Sequence, residues 1–138
     1  MLTISSKSKY GLQAVLTLAG HHRQGLLQIK DISALNNIPQ QYLMQIFNLL
    51  VKGDIIKSVR GKNGGYMLAR QPSDILALEV LDLLEGGIAF ADPADVGADA
   101  VCELFFNAEA SLRDAFRVSL ADLLLRQQEK SRVLMFDI

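Results

Sequence analysis

The sequence predicts a mainly α fold with a small β-hairpin, an α+β chain that ends in a long amphipathic helix. Two observations in the first half support this prediction: apolar residues recur at helical spacing in three segments, and a segment with a period of two then leads into a glycine-rich turn. The third observation is a leucine-rich stretch with helical spacing in the last third of the chain.

Composition limits the class of protein. The 138 residues suffice for one domain with a buried core, and no apolar run reaches the roughly 18 residues that a membrane span needs. The N-terminus "MLTISSKSKY" lacks the apolar core of a signal peptide, so we expect a soluble, cytoplasmic protein with no membrane partner. The single cysteine, Cys102, excludes an intrachain disulfide.

The first predicted helix runs through "KSKYGLQAVLTLAGHHR", with Ser5 or Ser6 as its cap. Its apolar residues lie on nearly every side, which predicts a buried helix. His21, His22 and Arg23 follow at the end where the helix dipole favours cations. A metal site at the histidine pair is the alternative, but neighbours in sequence point to different sides of a helix.

Two further helices follow. The segment "IKDISAL" predicts a short helix with Ile29, Ile32 and Leu35 on one side, and the "NN" pair after it predicts a turn. Then "IPQQYLMQIFNLLVKG" predicts a third helix, with Pro39 in its first turn and Gly53 at its end. We expect this helix to bury a broad apolar face that consists of Tyr42, Leu43, Ile46, Phe47, Leu49 and Leu50.

The opposite stripe of the third helix is amide-rich and nearly uncharged. It consists of Gln41, Met44, Gln45 and Asn48, preceded by Gln40. A solvated helix surface usually carries Lys and Glu, whereas Gln and Asn side chains can pair with base edges in bidentate fashion. Amides are also common on solvated helices, so the stripe supports DNA reading only together with other features.

The stretch "DIIKSVRGKNGGYML" predicts a β-hairpin, because its residues alternate with a period of two around a glycine-rich turn. At the tip, Arg60 and Lys62 offer positive charge to phosphates or a narrow minor groove, beside Gly61 and Asn63. We expect the glycines to let the backbone pass close to a bulky partner. A P-loop would need Ser or Thr after Lys62 and then a helix. A plain solvated turn is the remaining alternative, although it would not need three glycines with two cations.

Helix, short helix, turn, helix and hairpin is the order of a winged helix-turn-helix, in which one helix enters the major groove and the hairpin, or wing, lies beside it. We expect this domain at residues 1–86, an acidic connecting segment at 87–106, and a dimerisation helix with its tail at 107–138.

The charge distribution supports this division of the chain. Residues 1–70 hold nine Lys and Arg against two Asp, a net +7, and the remainder holds five basic and 13 acidic residues, a net −8. A basic half points to a polyanionic partner. Charge blocks that merely solvate a surface are the alternative, which the coincidence with the structural division weakens.

Three runs resemble a known family. The segments "YGLQAVLTLA", "IPQQYLMQIFNLLVKGDIIKSVRGKNGGYMLAR" and "ILALEVLDLLEG" are similar to the Rrf2 family of bacterial transcription regulators, over most of residues 5–86. The resemblance implies a homodimeric winged-helix protein that binds an imperfect DNA palindrome, usually as a repressor. It also implies that Gln41, Met44 and Gln45 face bases and that Arg60 with its neighbours forms the wing contact. Many members carry glutamate at the position of Met44, so we expect a different base preference there.

The iron-sulfur cluster of some family members is not expected here. Such members bind it through three cysteines after the fourth helix, together with an acidic residue or a histidine. The corresponding segment here, "GGIAFADPADVGADAVCELFFNAEA", contains only Cys102 and no histidine, and Lys9 stands where some members have the acidic ligand. Since Ala and Val cannot replace thiolates, we predict no cofactor and no metal. We expect Cys102 to be inert and buried, with acids that include Asp95 and Asp99 raising its pKa; a redox-sensing thiol is the alternative.

The last third predicts the dimerisation helix. From Asn107 as its cap, "EASLRDAFRVSLADLLLRQQEK" places Leu112, Phe116, Leu120, Leu123 and Leu124 on one stripe. Packing against its own domain is the alternative. A small winged helix offers limited surface, so we expect a homodimer through the helix near Leu112 to Leu124.

These features together predict a sequence-specific DNA-binding transcription regulator, a repressor that binds a palindromic operator in double-stranded DNA as a homodimer, with a protein or small molecule as effector. The alternative is a winged-helix protein-interaction module that does not bind DNA directly. We expect no enzyme, because the sequence offers no Ser-His-Asp, Cys-His or paired-carboxylate arrangement.

Overall fold

The structure, a computed structural model, describes residues 2–95 and 97–136. Its helices are α1 Ser6–Gly20, α2 Ile29–Asn36, α3 Gln40–Lys52, α4 Ala77–Glu85, α5 Ala100–Ala115 and α6 Leu120–Phe136. The strands β1 Ile56–Val59 and β2 Gly65–Leu68 form one antiparallel hairpin. The mainly α fold with a wing is confirmed. Within the described residues, every helix is too short or too polar to span a lipid bilayer.

Helix α1 runs through the core and is joined to the end of α4. Val15 and Leu18 are buried, as the sequence predicts. Ser5 is the N-cap residue, but its hydroxyl donates to the Glu85 carboxylate (2.6 Å), and the buried Ser8 donates to the same oxygen (2.6 Å). These hydrogen bonds, from Ser5 and then Ser8, hold the pKa of Glu85 below its ordinary value.

Helices α2 and α3 lie on either side of the predicted turn. Asn37 takes the left-handed conformation (φ 54°) and ends α2, while Leu35 is 65% exposed, so the predicted apolar side of α2 does not include it. Pro39 is the N-cap of α3 rather than part of its first turn, and the helix ends before Gly53. The core side of α3 consists of Leu43, Ile46, Phe47 and Leu50.

The core is not closed by residues 1–86 alone. Leu120, in the first turn of α6, is fully buried in the same apolar cluster, and Leu124 packs against it one turn later. The predicted boundary after residue 86 therefore separates segments of the chain but not the packed core. The alternative of packing against the chain's own domain is confirmed for the start of α6.

The prediction of one helix from Asn107 is wrong. Helix α5 already begins at Ala100, where the Asp99 carboxylate accepts a hydrogen bond from the Cys102 backbone N–H (2.8 Å). Residues 100–106 of the predicted connecting segment are therefore helical, and Asn107 lies inside α5.

Helix α5 ends at Ala115 because the next residues pair with the start of α4. The Ala77 N–H donates to the Val118 carbonyl (2.8 Å), and the Leu120 N–H donates to the Ile75 carbonyl (2.9 Å). The Ser119 hydroxyl then accepts a hydrogen bond from the Asp122 N–H (3.1 Å) and caps the next helix. The predicted stripe from Leu112 to Leu124 is thus divided between two helices.

Candidate nucleic-acid interface

The predicted stripe on α3 faces solvent. All five of its residues are exposed, while the opposite side of the helix is buried in the core; they are Gln40, Gln41, Met44, Gln45 and Asn48. Helix α3 carries no charged side chain before Lys52. The structure therefore brings these five residues together on one uncharged surface, which we call the α3 stripe.

Two aromatic pairs fix the orientation of α3. The rings of Tyr10 on α1 and Tyr42 on α3 meet edge to face, with centroids 5.9 Å apart. The rings of Phe47 on α3 and Tyr66 on β2 are 4.7 Å apart and inclined by 65°. Such contacts stabilise by about 0.5–1.5 kcal/mol beyond area burial, so the second pair holds the wing against α3. Sequence reasoning assigned no role to this pair.

The wing is anchored at its base and exposed at its tip. Ile56 and Leu68 pair at the base and are buried, whereas Arg60, Gly61, Lys62 and Asn63 are exposed. The predicted tip residues therefore all lie in solvent beside one another. We call these four residues the wing tip.

A third backbone segment, which the sequence did not reveal, supports the wing. Leu27 pairs with Tyr66 through two hydrogen bonds, from the Tyr66 N–H to the Leu27 carbonyl (2.7 Å) and from the Leu27 N–H to the Tyr66 carbonyl (3.0 Å). A single bridged residue is too short to give a period of two. No local signal could therefore have predicted it.

The expected reason for the three wing glycines is wrong at two of them. A Cβ on Gly64 would overlap the Val59 carbonyl oxygen, and a Cβ on Gly65 would overlap the Leu27 carbonyl oxygen. These glycines allow close approach within the protein itself. Gly61 has free space around it, but its φ is +118°, a backbone conformation that residues with a Cβ rarely adopt.

The wing tip carries unneutralised positive charge. Among the described residues, neither Arg60 nor Lys62 forms a salt bridge. By contrast, the Arg70 guanidinium lies 2.8 Å from Glu79 and holds the pKa of that carboxyl below its ordinary value. Arg70 therefore stabilises the fold, while the two tip cations are available to a polyanion.

Cys102 is partly exposed at the start of α5, so the expectation of a buried thiol is wrong. The Asp99 carboxylate, by hydrogen bonding, then the partial burial of the thiol, and then Asp95, by its charge, raise the pKa of the thiol. The predicted direction is confirmed.

The side chains present do not fit the iron-sulfur cluster of some family members. Such a cluster needs several thiolate ligands, and the chain has one cysteine. In the part of the chain that the structure describes, no three His, Cys, Asp or Glu side chains are grouped so that they could hold a metal ion.

Comparison with known proteins identifies the family. The family described as "Rrf2: Iron-dependent Transcriptional regulator" matches residues 4–127. The chain belongs to the Rrf2 family. This Rrf2 protein is 30% identical over 138 residues to the HTH-type transcriptional regulator CymR of Bacillus subtilis strain 168, which covers 99% of this chain and all of that protein. It is 38% identical over 80 residues to the HTH-type transcriptional regulator IscR of Photorhabdus laumondii, and that match covers 58% of this chain and only 49% of the relative.

Solved structures agree with this assignment. The structure of CymR, the global cysteine regulator of B. subtilis, superposes with a TM-score of 0.82 at 32% identity, over 91% of this chain and 98% of that chain. T. potens IscR gives a TM-score of 0.79 at 32% identity, over 94% and 90% of the two chains. This Rrf2 protein is thus a DNA-binding transcription regulator of the helix-turn-helix class and not an enzyme.

Proposed function

We propose that this Rrf2 regulator reads its operator with the α3 stripe in the major groove and the wing tip on the neighbouring backbone or minor groove. One observation carries the proposal. The α3 stripe and the wing tip are both exposed, and the contact between Phe47 of α3 and Tyr66 of β2 holds the helix and the wing together. In this arrangement Gln41 and Gln45 specify bases, while Gln40 and Asn48 lie at the ends of the stripe. A bidentate amide distinguishes adenine from other bases.

The wing tip supplies the positioning part of the interface. Arg60 and Lys62 are unpaired among the described residues, and a polyanion attracts such cations irrespective of its sequence. The planar guanidinium of Arg60 can in addition make a directional contact in a narrow minor groove. The backbone at Gly61 is unobstructed, and Asn63 offers a polar side chain beside it. Phosphate contacts of this kind fix the register in which the α3 stripe meets the bases.

The regulator acts as a homodimer on a palindromic operator. Helix α5 contributes no residue to the buried core, and its side chains Val101, Leu104 and Phe105 are 61%, 66% and 49% exposed. A second copy that covered this face would place two α3 stripes on successive turns of DNA, roughly 34 Å apart or a multiple of that distance. The dimer surface therefore includes the exposed apolar face of α5 that precedes Leu112.

The regulator works in the cytoplasm without a cofactor and represses by occupying promoter DNA. The lack of thiolates other than Cys102 supports cofactor-free DNA binding, in contrast to the iron dependence in the family description. An effector would act beside residues 87–90, which border a cleft of about 500 Å³ lined by Ile4, Phe90 and Leu112 among others. A ligand there would act on α5 and hence on the spacing of the two α3 stripes.

Selection from a random DNA library tests the proposal. The wild-type protein should enrich a palindrome, and Gln41→Ala and Gln45→Ala should each relax one base position in each half-site, because a base-reading amide specifies sequence. Lys130→Ala, an exposed change on α6, is the control and should enrich the wild-type motif. An unchanged motif in both glutamine variants would refute this placement of α3. Enrichment of no motif, together with a salt-insensitive protein partner, would support the interaction module instead.

A further inference from the structure

Met44 is an apolar side chain in the centre of the otherwise amide-bearing α3 stripe. It is 44% exposed, and the exposed amides Gln41 and Asn48 lie three residues before it and four residues after it. Its helical neighbours Leu43 and Phe47 are fully buried. The core thus has an unbroken apolar side on α3 of which Met44 is not part.

The major groove offers one apolar group to such a side chain. Each thymine carries a 5-methyl group at the groove surface, and the other base-edge groups there are hydrogen-bond donors and acceptors. Methionine is unbranched and polarizable, so it can adjust to a methyl group on a surface whose shape varies. A charged or amide side chain at the same position would be desolvated by that methyl without gaining a hydrogen bond.

We propose that Met44 contacts the 5-methyl group of one thymine in each half-site and thereby specifies a T·A pair. The inference rests on the proposed function, since it requires the α3 stripe to lie in the major groove. Residues three and four apart on a helix are surface neighbours, so this thymine lies next to the base pair that Gln41 reads. Met44 is then a specificity-determining residue and not a part of the core.

Replacement of single thymines by deoxyuridine tests the contact, because this change removes the methyl group and keeps Watson–Crick pairing. Each thymine of the operator selected by the wild-type protein is replaced in turn, and binding is measured by titration. At one thymine in each half-site the wild-type protein should bind about fourfold more weakly, the effect expected for one buried methyl group. Met44→Gln, which keeps the length of the side chain, should bind the operator equally well with thymine or deoxyuridine at that position. Met44→Leu should still bind the deoxyuridine operator more weakly than the thymine operator, with most of the wild-type difference.

Two results would overturn the inference, and the first needs no variant. If the wild-type protein selects a motif but no thymine in it responds to deoxyuridine, Met44 does not read a methyl group. The same follows if every thymine that responds does so equally in the wild type and in Met44→Gln. If the wild-type protein selects no motif at all, the proposed function itself fails.

Discussion

At the scale of single residues, the two cations of the wing tip have different expected effects. Arg60→Ala should weaken binding to the selected operator by about 1–3 kcal/mol, because a planar guanidinium can make a specific bidentate contact. Lys62→Ala should weaken binding to all sequences alike and reduce the slope of log affinity against log salt by about one. Titrations at several salt concentrations separate the two effects.

The control for these titrations is Lys130→Ala on α6, which removes one exposed cation far along the chain. It should leave both the affinity and the salt slope close to those of the wild type. Equal binding of operator DNA by Arg60→Ala and by the wild-type protein would contradict a role of the wing in DNA binding.

Cys102 gives a second prediction at this scale. Because Asp99 and Asp95 raise the pKa of the thiol, its thiolate fraction near pH 8 is smaller than that of free cysteine. Alkylation by iodoacetamide should therefore be slower than for a free thiol, and Asp99→Asn should accelerate it.

Cys102→Ser should leave DNA binding intact, and protein purified without oxygen should be colourless. Brown protein with iron and sulfide that Cys102→Ser bleaches would contradict cofactor-free binding.

At the scale of elements, the separation of α5 from α6 depends on the cap at Ser119. Ser119→Ala should lower the free energy of unfolding by about 0.5–2 kcal/mol, because it leaves the Asp122 N–H without its acceptor. Asn107→Ala is the matched control: this residue is exposed inside α5, where alanine is the better helix former. It should be neutral or slightly stabilising in denaturant titrations. A large loss of unfolding free energy in Asn107→Ala, with none in Ser119→Ala, would contradict the division into two helices and support a single helix from Asn107.

The elements that sequence could predict are those with local signals. Helix α3 and the wing were predicted because their periods and glycines lie within short segments. The break after Ala115 was missed because it depends on backbone pairing of Val118 with Ala77, which is distant in sequence. The "SLAD" stretch at Ser119 was a local capping signal for that break, but the unbroken leucine spacing obscured it.

The candidate site likewise has features that local sequence patterns predict and features that depend on tertiary contacts. The sequence predicted which side of α3 is exposed and where the wing tip lies, and the structure agrees. The support of the wing by Leu27 and the overlap at Gly64 arise from tertiary contacts, so no local pattern could reveal them. The base-reading roles of the α3 stripe stay predictions.

At the scale of the whole molecule, dimer formation should depend on the exposed apolar face of α5. Leu104→Glu should convert the dimer to a monomer in sedimentation experiments, because a carboxylate would then have to be buried without a partner. Leu35→Glu is the matched control, since Leu35 is 65% exposed and Leu104 is 66% exposed, but on different helices. The control should remain dimeric. A wild-type protein that is monomeric at all concentrations would contradict this part of the account.

A hydroxyl-radical footprint on the selected operator, with iron-free wild-type protein, tests the central claim most directly. If two copies place the α3 stripe in successive major grooves, protection should appear in two symmetric segments whose centres lie about 10 base pairs apart or a multiple of that spacing. Arg60→Ala should lose protection only at the flanks, where the wing tip lies. One asymmetric protected segment, or no protection at concentrations that saturate binding, would contradict the account.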